Sequence, residues 1–335
     1  MISLYPLIQN ETIKLLKKRR FLVILVIVVV LVSVFTYAQT RIAENTRKQL
    51  GTTDWRITTQ NQIADNTNKL SNIRIPDEAK RAIKVEITRL QYALDKNINP
   101  QTPSGVTFTR DFFGNAIGLF LPLLVVILAI DLVSAEHSTG TIKILLTRPV
   151  RRWKVLMSKL ITLLLFTSLI ILMTTLICYA ISGLAFGYSG WSMPVITGFQ
   201  VTGDQLITAN AHVIEQWRYL FMEISLCWFS CFVVGCISLM VSVLVRSTAA
   251  GMGIMLAALI SGVILVNMVA SWDSAKYFFM VNLQTNTFLS AALPSAGSPP
   301  VPGLTLPFSL SVLAAWALIS LVISFSVFTK RDILN

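Results

Sequence analysis

Apolar positions gather into six blocks of spanning length: Phe21 to Ala38, Phe112 to Val133, Leu156 to Ala180, Leu220 to Val245, Ala249 to Ser271 and Phe308 to Phe328. About 20 apolar residues cross the hydrocarbon core of a bilayer as a helix. The middles of these blocks hold no Asp, Lys or Arg, each of which would cost about 2.5–3.5 kcal/mol at the centre of a span. The pattern predicts an all-α membrane protein with six transmembrane helices over 21–38, 112–133, 156–180, 220–245, 249–271 and 308–328. Ahead of them, in residues 1–20, Leu4, Leu7, Ile8 and Leu15 fall on one helical stripe flanked by Lys14, Lys17 and Lys18. That is the signature of an amphipathic helix lying in the membrane interface, although Glu11 interrupts the stripe.

Residues 39–111 read as an outer helical domain. Asp54 to Leu70 is one helix, and Pro76 to Lys96 a second, with Ala79, Ile83, Ile87, Leu90 and Leu94 at helical spacing, so that the two cover each other. The outer segments 181–219 and 272–307 read as irregular, the second broken by repeated prolines and glycines. A polar island, 134–155, joins the second and third spans, and 329–335 forms a short tail.

Composition strengthens the membrane reading. The 335 residues are 54% hydrophobic with a mean hydropathy of +0.68, more apolar surface than one soluble core buries. Lys14, Lys17, Lys18, Arg19 and Arg20 precede the first span; Lys143, Arg148, Arg151, Arg152, Lys154 and Lys159 cluster in or beside the island; Lys330 and Arg331 follow the last span. In a six-span zigzag these lie on one side, which the positive-inside rule makes the cytoplasm. The expectation is a multi-pass protein of a bacterial plasma membrane with both termini cytoplasmic. Arg41 to Arg110 carries further basic residues, but the rule weakens in long translocated loops. The net charge of +12 therefore faces headgroups or an inner partner and does not indicate nucleic acid. The first apolar run is longer than a signal-peptide core and follows about twenty patterned residues, so it is read as a retained span.

Chemistry is sparse. Cys178, Cys227, Cys231 and Cys236 fall inside spans without the His or third ligand of a zinc site. There is no phosphate-binding loop, no nucleophile elbow and no His–carboxylate cluster, so no catalytic, cofactor or metal residue is assigned. Ion-coupled carriers need intramembrane carboxylates or interrupted helices, and the apolar blocks predict neither. Gly253, Ala257 and Ser261 recur every four residues, a helix-packing pattern that serves a contact within the subunit or between subunits.

The island remains. Ile142, Leu145 and Leu146 form an i, i+3, i+4 stripe that Thr139 or Thr141 can cap and Pro149 can stop. This describes a short helix held off the membrane as well as it describes an interfacial hairpin.

"AEHSTGTIKILLTRPVRRWKVLMSK", from Ala135 to Lys159, resembles the signature of type-2 ABC transporter permeases, E-x-x-x-G-T-x-x-x-L-L-(T/S)-x-P-x-x-R followed by a Lys, at Glu136, Gly140, Thr141, Leu145, Leu146, Thr147, Pro149, Arg152 and Lys159. "QNETIKLLKKRR" is similar to that family's opening at Asn10, Glu11 and Lys14, and "FTKRDIL" to its close at Phe328, Arg331, Asp332 and Ile333. The resemblance implies a permease of the bacterial export type, moving a peptide antibiotic, drug or lipid-like molecule outward. It implies two copies of a separate ATPase subunit that hold ATP and Mg, and a second permease copy or a paralogous permease. Glu136, Gly140, Thr141, Ile142, Leu145, Leu146, Pro149, Arg151 and Arg152 would then form the cytoplasmic coupling helix and its base. The other function classes are a carrier or channel working without ATP, and a membrane sensor with a helical outer domain.

Overall fold

The computed structural model describes residues 4–50, 54–71, 77–99, 103–138, 150–198, 200–202, 205–207, 209–245, 247–268, 272–290 and 304–330. Helices dominate them: α1 Leu4–Lys17, α2 Arg20–Leu50, α3 Trp55–Leu70, α4 Asp77–Asp95, α5 Gly105–Ala116, α6 Phe120–Ser138, α7 Arg152–Phe186, α8 Gln216–Leu244, α9 Thr248–Met268, α10 Thr287–Ser290 and α11 Leu306–Lys330. Among the described residues five helices, α2, α7, α8, α9 and α11, are long and apolar enough to cross a membrane, and α5 with α6 makes a sixth if the bent pair is one span. The protein is a helical membrane protein.

The second span departs from the sequence reading, which expected one helix over 112–133. The chain bends by 63° between α5 and α6. Gly114, Gly118 and Pro122 stand four residues apart across the bend. Pro122 has no N–H to return to the Gly118 carbonyl, and its ring crowds that turn, so the helix stops and restarts. Gly118 also sits where a Cβ would come within 2.7 Å of Gln284 Nε2, so a larger residue there would displace the Gln284 side chain. An interrupted helix, which the apolar pattern had argued against, is therefore present.

The bundle has a centre and a rim. α6 and α8 lie at the centre, α6 being buried along most of its length and α8 burying Val233, Val234, Cys236, Ile237 and Leu239. Peripheral helices bury one stripe each: Phe21, Ile24, Val28 and Val32 on α2, and Ser309, Leu313, Ala317, Ser320, Ser324 and Phe328 on α11. Their other faces, including Val26, Val30 and Val34 on α2 and Leu318, Ile319 and Val322 on α11, are exposed and apolar. Lipid accepts such faces at no cost, so hydropathy alone does not mark which side packs. At one end of the bundle, the basic end, lie α1, the end of α6, the start of α7 and the end of α11. Exposed Tyr5 and Trp153 ring the basic end, and exposed Tyr188, Trp191, Trp217, Trp272 and Tyr277 the far end, the two belts expected at membrane–water boundaries.

At the far end α3 and α4 pack against each other. The Asp54 carboxylate caps α3 by accepting from the Arg56 N–H at 3.0 Å. Of the apolar stripe predicted on α4, Leu90 is buried, alongside Val85 and Ala93, while Ile83, Ile87 and Leu94 are half-buried; Ala79 lies outside the described side chains. The segment after α7, expected to be irregular, is a nested antiparallel hairpin. β1 Pro194–Thr197 pairs with β4 His212–Glu215, and β2 Gln200–Thr202 with β3 Gln205–Ile207. The second segment read as irregular contains two 3-10 turns, Asp273–Tyr277 and Phe279–Asn282, before α10. The Thr197 hydroxyl donates to Leu289 O at 2.7 Å and fastens the hairpin to α10.

Candidate functional site

The densest charge in the described structure is buried at the basic end. α1 presents Glu11 and Lys14 on one face, three residues apart. α6 brings Glu136 and α7 brings Lys159. The Lys14 ammonium contacts Glu11 Oε1 and Glu136 Oε1, both at 2.8 Å. The Lys159 ammonium contacts Glu11 Oε2 and Glu136 Oε2, both at 2.9 Å. Two ammonium groups and two carboxylates thus alternate in a closed, neutral ring. Lys159 is 0% exposed, and its ammonium also donates to Leu132 O at 2.6 Å. The ammonium thus donates two hydrogen bonds, to Glu11 Oε2 and Leu132 O, and its approach to Glu136 Oε2 is an ionic contact without hydrogen-bond geometry; two carboxylates around it make its burial tolerable.

Burial of the Lys14 ammonium opposes its charge, but the carboxylates of Glu11 and Glu136 outweigh that and hold its pKa above the ordinary lysine value. A second ionic contact flanks the ring. After α1 the backbone turns at Arg19, whose φ of +54° is left-handed. The turn sets Arg20 against the Asp131 carboxylate, with Lys18 Nζ 3.9 Å from the same group. α6 is held in turn to α8. Ser134 Oγ donates to Val245 O at 2.9 Å, and Ser242 Oγ donates to Ile130 O at 2.5 Å while accepting from Ser134 N at 2.9 Å.

The ring revises several expectations. Glu11 does not interrupt the buried face of α1; it is buried together with Leu15, while Tyr5, Ile13 and Leu16 are exposed. Glu136 is buried, its carboxylate set between the two ammonium groups. Arg152 donates to Thr329 O at 3.3 Å and so joins the start of α7 to the end of α11, where a cation also complements the helix dipole. Arg151 is exposed just before α7. Gly140, Thr141, Ile142, Leu145, Leu146 and Pro149, and likewise Arg331 and Asp332, lie outside the described residues. Of the small residues on α9, Gly253 has open space around it and Ala257 is exposed, so neither packs within the subunit; Ser261 is half-buried, with its hydroxyl on Ala258 O and 3.3 Å from Met280 Sδ. The buried face of α9 carries Gly251, Met255, Leu259 and Gly262 instead.

Sequence reasoning gave Lys159 as a signature position without a role, and it did not place Asp131 in a site. The signal for both was a charge inside or bordering an apolar block, which demands a partner of opposite sign. Among the described residues no group of three or more His, Cys, Asp or Glu could hold a metal ion, and the four cysteines are buried and free.

Comparison with known proteins adds family membership. The family DUF2705, described as a protein of unknown function, matches residues 78–334. The "Uncharacterized protein YhcI" of Bacillus subtilis (strain 168) is 30% identical over 284 residues, covering 81% of this chain and 83% of the relative. The "Uncharacterized membrane protein YdbK" of the same organism is 26% identical over 221 residues, covering 65% of this chain and 80% of the relative.

Proposed function

The chain belongs to the DUF2705 family, and from that premise we propose that it is the membrane-spanning permease subunit of an ATP-driven exporter of the type-2 ABC class. In this reading it sits in a bacterial plasma membrane with both chain ends in the cytoplasm and the α3–α4 pair outside. ATP and Mg belong to two copies of a separate ATPase subunit, and a second permease copy or a paralogue completes the path. The substrate class is hydrophobic or amphipathic: a peptide antibiotic, a drug or a lipid-like molecule.

One observation carries the reading. Glu11, Lys14, Glu136 and Lys159 are positions on which the permease resemblance rests, they come from three separate segments, and all four meet in the ring. In sequence, the ring residues Glu136 and Lys159 flank the middle of the island, 139–149. Glu136 stands near the start of the island and Arg152 near its end, with Lys159 just beyond. A partner pulling on the island would therefore act on α1, α6, α7 and α11 together. ATP binding shifts such a bundle between states only by the difference in the partner's affinity for them, and a rigid base lets that difference reach the spans.

The test is co-expression with an ATPase subunit encoded beside the chain. Leu145→Asp with Leu146→Asp should abolish co-purification while membrane insertion persists, because unpaired carboxylates at an interface core are costly to desolvate. Glu136→Gln should keep assembly and reduce turnover. Normal binding and turnover in the double variant would remove the coupling role. The bent α5–α6 pair favours a second reading, an ion-coupled carrier working without ATP; transport that persists in cells lacking the ATPase would select it.

A further inference from the structure

A second buried polar cluster lies at the far end, where α5 and α8 meet the loop before α10. Glu223, 3% exposed on α8, is at its centre. Its Oε1 lies where a Cβ on Gly114 would be 3.1 Å away, and Asn286 Nδ2 where the same Cβ would be 3.4 Å away. The glycine thus makes room for both side chains. Asn286 Nδ2 donates to Gly114 O at 3.0 Å, so loop and helix α5 are joined at this point.

Among the described residues Glu223 is in no ion pair, although the Arg110 charge reaches it. The nearest cation in its surroundings, Arg110, directs both Nε, at 3.0 Å, and Nη2, at 2.9 Å, to Asp111 Oδ1. Among the described residues Glu223 Oε2 has no hydrogen-bond partner, and neither has Asn286 Oδ1, on a side chain that is 8% exposed. The other titratable groups facing the carboxyl are Asp111 on α5 and Cys227 on α8, with Tyr219 under the Arg110 guanidinium. An Asn286 hydrogen bond reaches the Glu223 carboxyl, yet two buried acceptor atoms, Glu223 Oε2 and Asn286 Oδ1, stand in one cluster with no donor for either among the described residues. A carboxylate this deeply buried, with one oxygen unpaired and no ion pair among the described residues, is costly to keep charged, and a proton neutralises it instead. A metal cation is disfavoured by Arg110. A proton removes the charge and turns one acceptor into a donor.

We propose that Glu223 is a proton-binding site, loaded and unloaded from the far end of the bundle. Glu223 is seven residues into α8, about 10 Å along the helix. Exposure falls stepwise from the surface inward: the Asp111 side chain is 42% exposed and that of Arg110 18%. The carboxylate takes a proton from water by that route and returns it the same way. The cluster ties the α5–α6 bend to the loop before α10, so protonation acts on the one interrupted helix among the described residues.

The test uses the full chain in lipid nanodiscs and infrared difference spectra between acidic and alkaline buffer. The expected result is a carboxyl C=O band of an apolar environment that follows pH, is lost in Glu223→Gln and is retained in Asp111→Asn. Glu223→Gln matches the neutral side chain in shape, so it suits a site that carries a proton. On the unsubstituted protein, carboxyl-13C glutamate should shift the band and labelled aspartate should not. Absence of the band, its persistence in Glu223→Gln, or a shift with labelled aspartate alone would overturn the proposal. A band that responds to sodium at fixed pH and not to pH would also overturn it, assigning a metal cation instead.

Discussion

Replacing Lys159 with Met keeps the length of the side chain and removes its charge, and the consequence can be worked from the ring. Wild type holds two ammonium groups and two carboxylates; Lys159→Met leaves Glu11, Glu136 and Lys14, a net charge of −1 in a buried site. Leu132 O loses its donor as well. Breaking a buried pair by removing one partner costs about 3–5 kcal/mol. The lower end applies here, because the Lys14 side chain is 40% exposed and water can screen that side. About 3 kcal/mol corresponds to roughly a hundredfold rise in the population with α1 undocked, at tenfold per 1.4 kcal/mol. Hydrogen exchange of the α1 amides in nanodiscs reads that population directly. Adding Glu11→Gln restores neutrality, with Lys14 and Glu136 left as a pair. The double variant should therefore exchange more slowly than Lys159→Met alone, opposite to what independent losses would give. Unchanged exchange in Lys159→Met, or additive losses in the double variant, would refute the ring as the fastening of α1.

Two further outcomes follow from single positions. Gly262→Ala should lower stability by about 1–3 kcal/mol, because its Cβ would overlap the Met280 side chain, whereas Gly253→Ala, with nothing within 4 Å, should leave it unchanged or slightly raised; thermal unfolding that treats the two alike would contradict the packing of α9. The raised pKa of Lys14 means that its contribution is complete below the unfolded lysine value, about 10.4, and is lost only as pH rises through the higher folded value; α1 protection in Lys14→Gln should therefore converge on wild type in strongly alkaline buffer, and a difference that grows there would contradict the sign.

The apolar blocks were legible because a bilayer selects for length and hydropathy, and both are local properties. Their ends were less so: α2 continues past Ala38 to Leu50 on polar residues such as Gln39, Glu44 and Lys48 that carry on the helix at no cost in hydropathy. The bend between α5 and α6 had a sequence signal in Gly114, Gly118 and Pro122, masked by an apolar run that reads as continuous. The hairpin was harder, since strands of three or four residues depend on pairing across the chain; only the β-branched Val195–Ile196–Thr197 and Val213–Ile214 hinted at it. The charged motif residues were found one at a time. What periodicity could not supply was their mutual placement, so Glu11 looked like a flaw in an apolar stripe when its partner Lys159 lay 148 residues away.

That separation also bears on how the protein is made. While α1 and α2 are entering the membrane, Glu11 has only Lys14 to answer it, and the helix can do no better than ride among the headgroups. Lys159 is synthesised 148 residues later, roughly 7 to 30 s at the usual pace of 5–20 residues per second. Docking of the first helix is thus deferred until the start of α7 is in place, and a chain truncated before Lys159 would leave its N-terminal helix unfastened. Assembly acquires a built-in order, with the earliest segment among the last to settle.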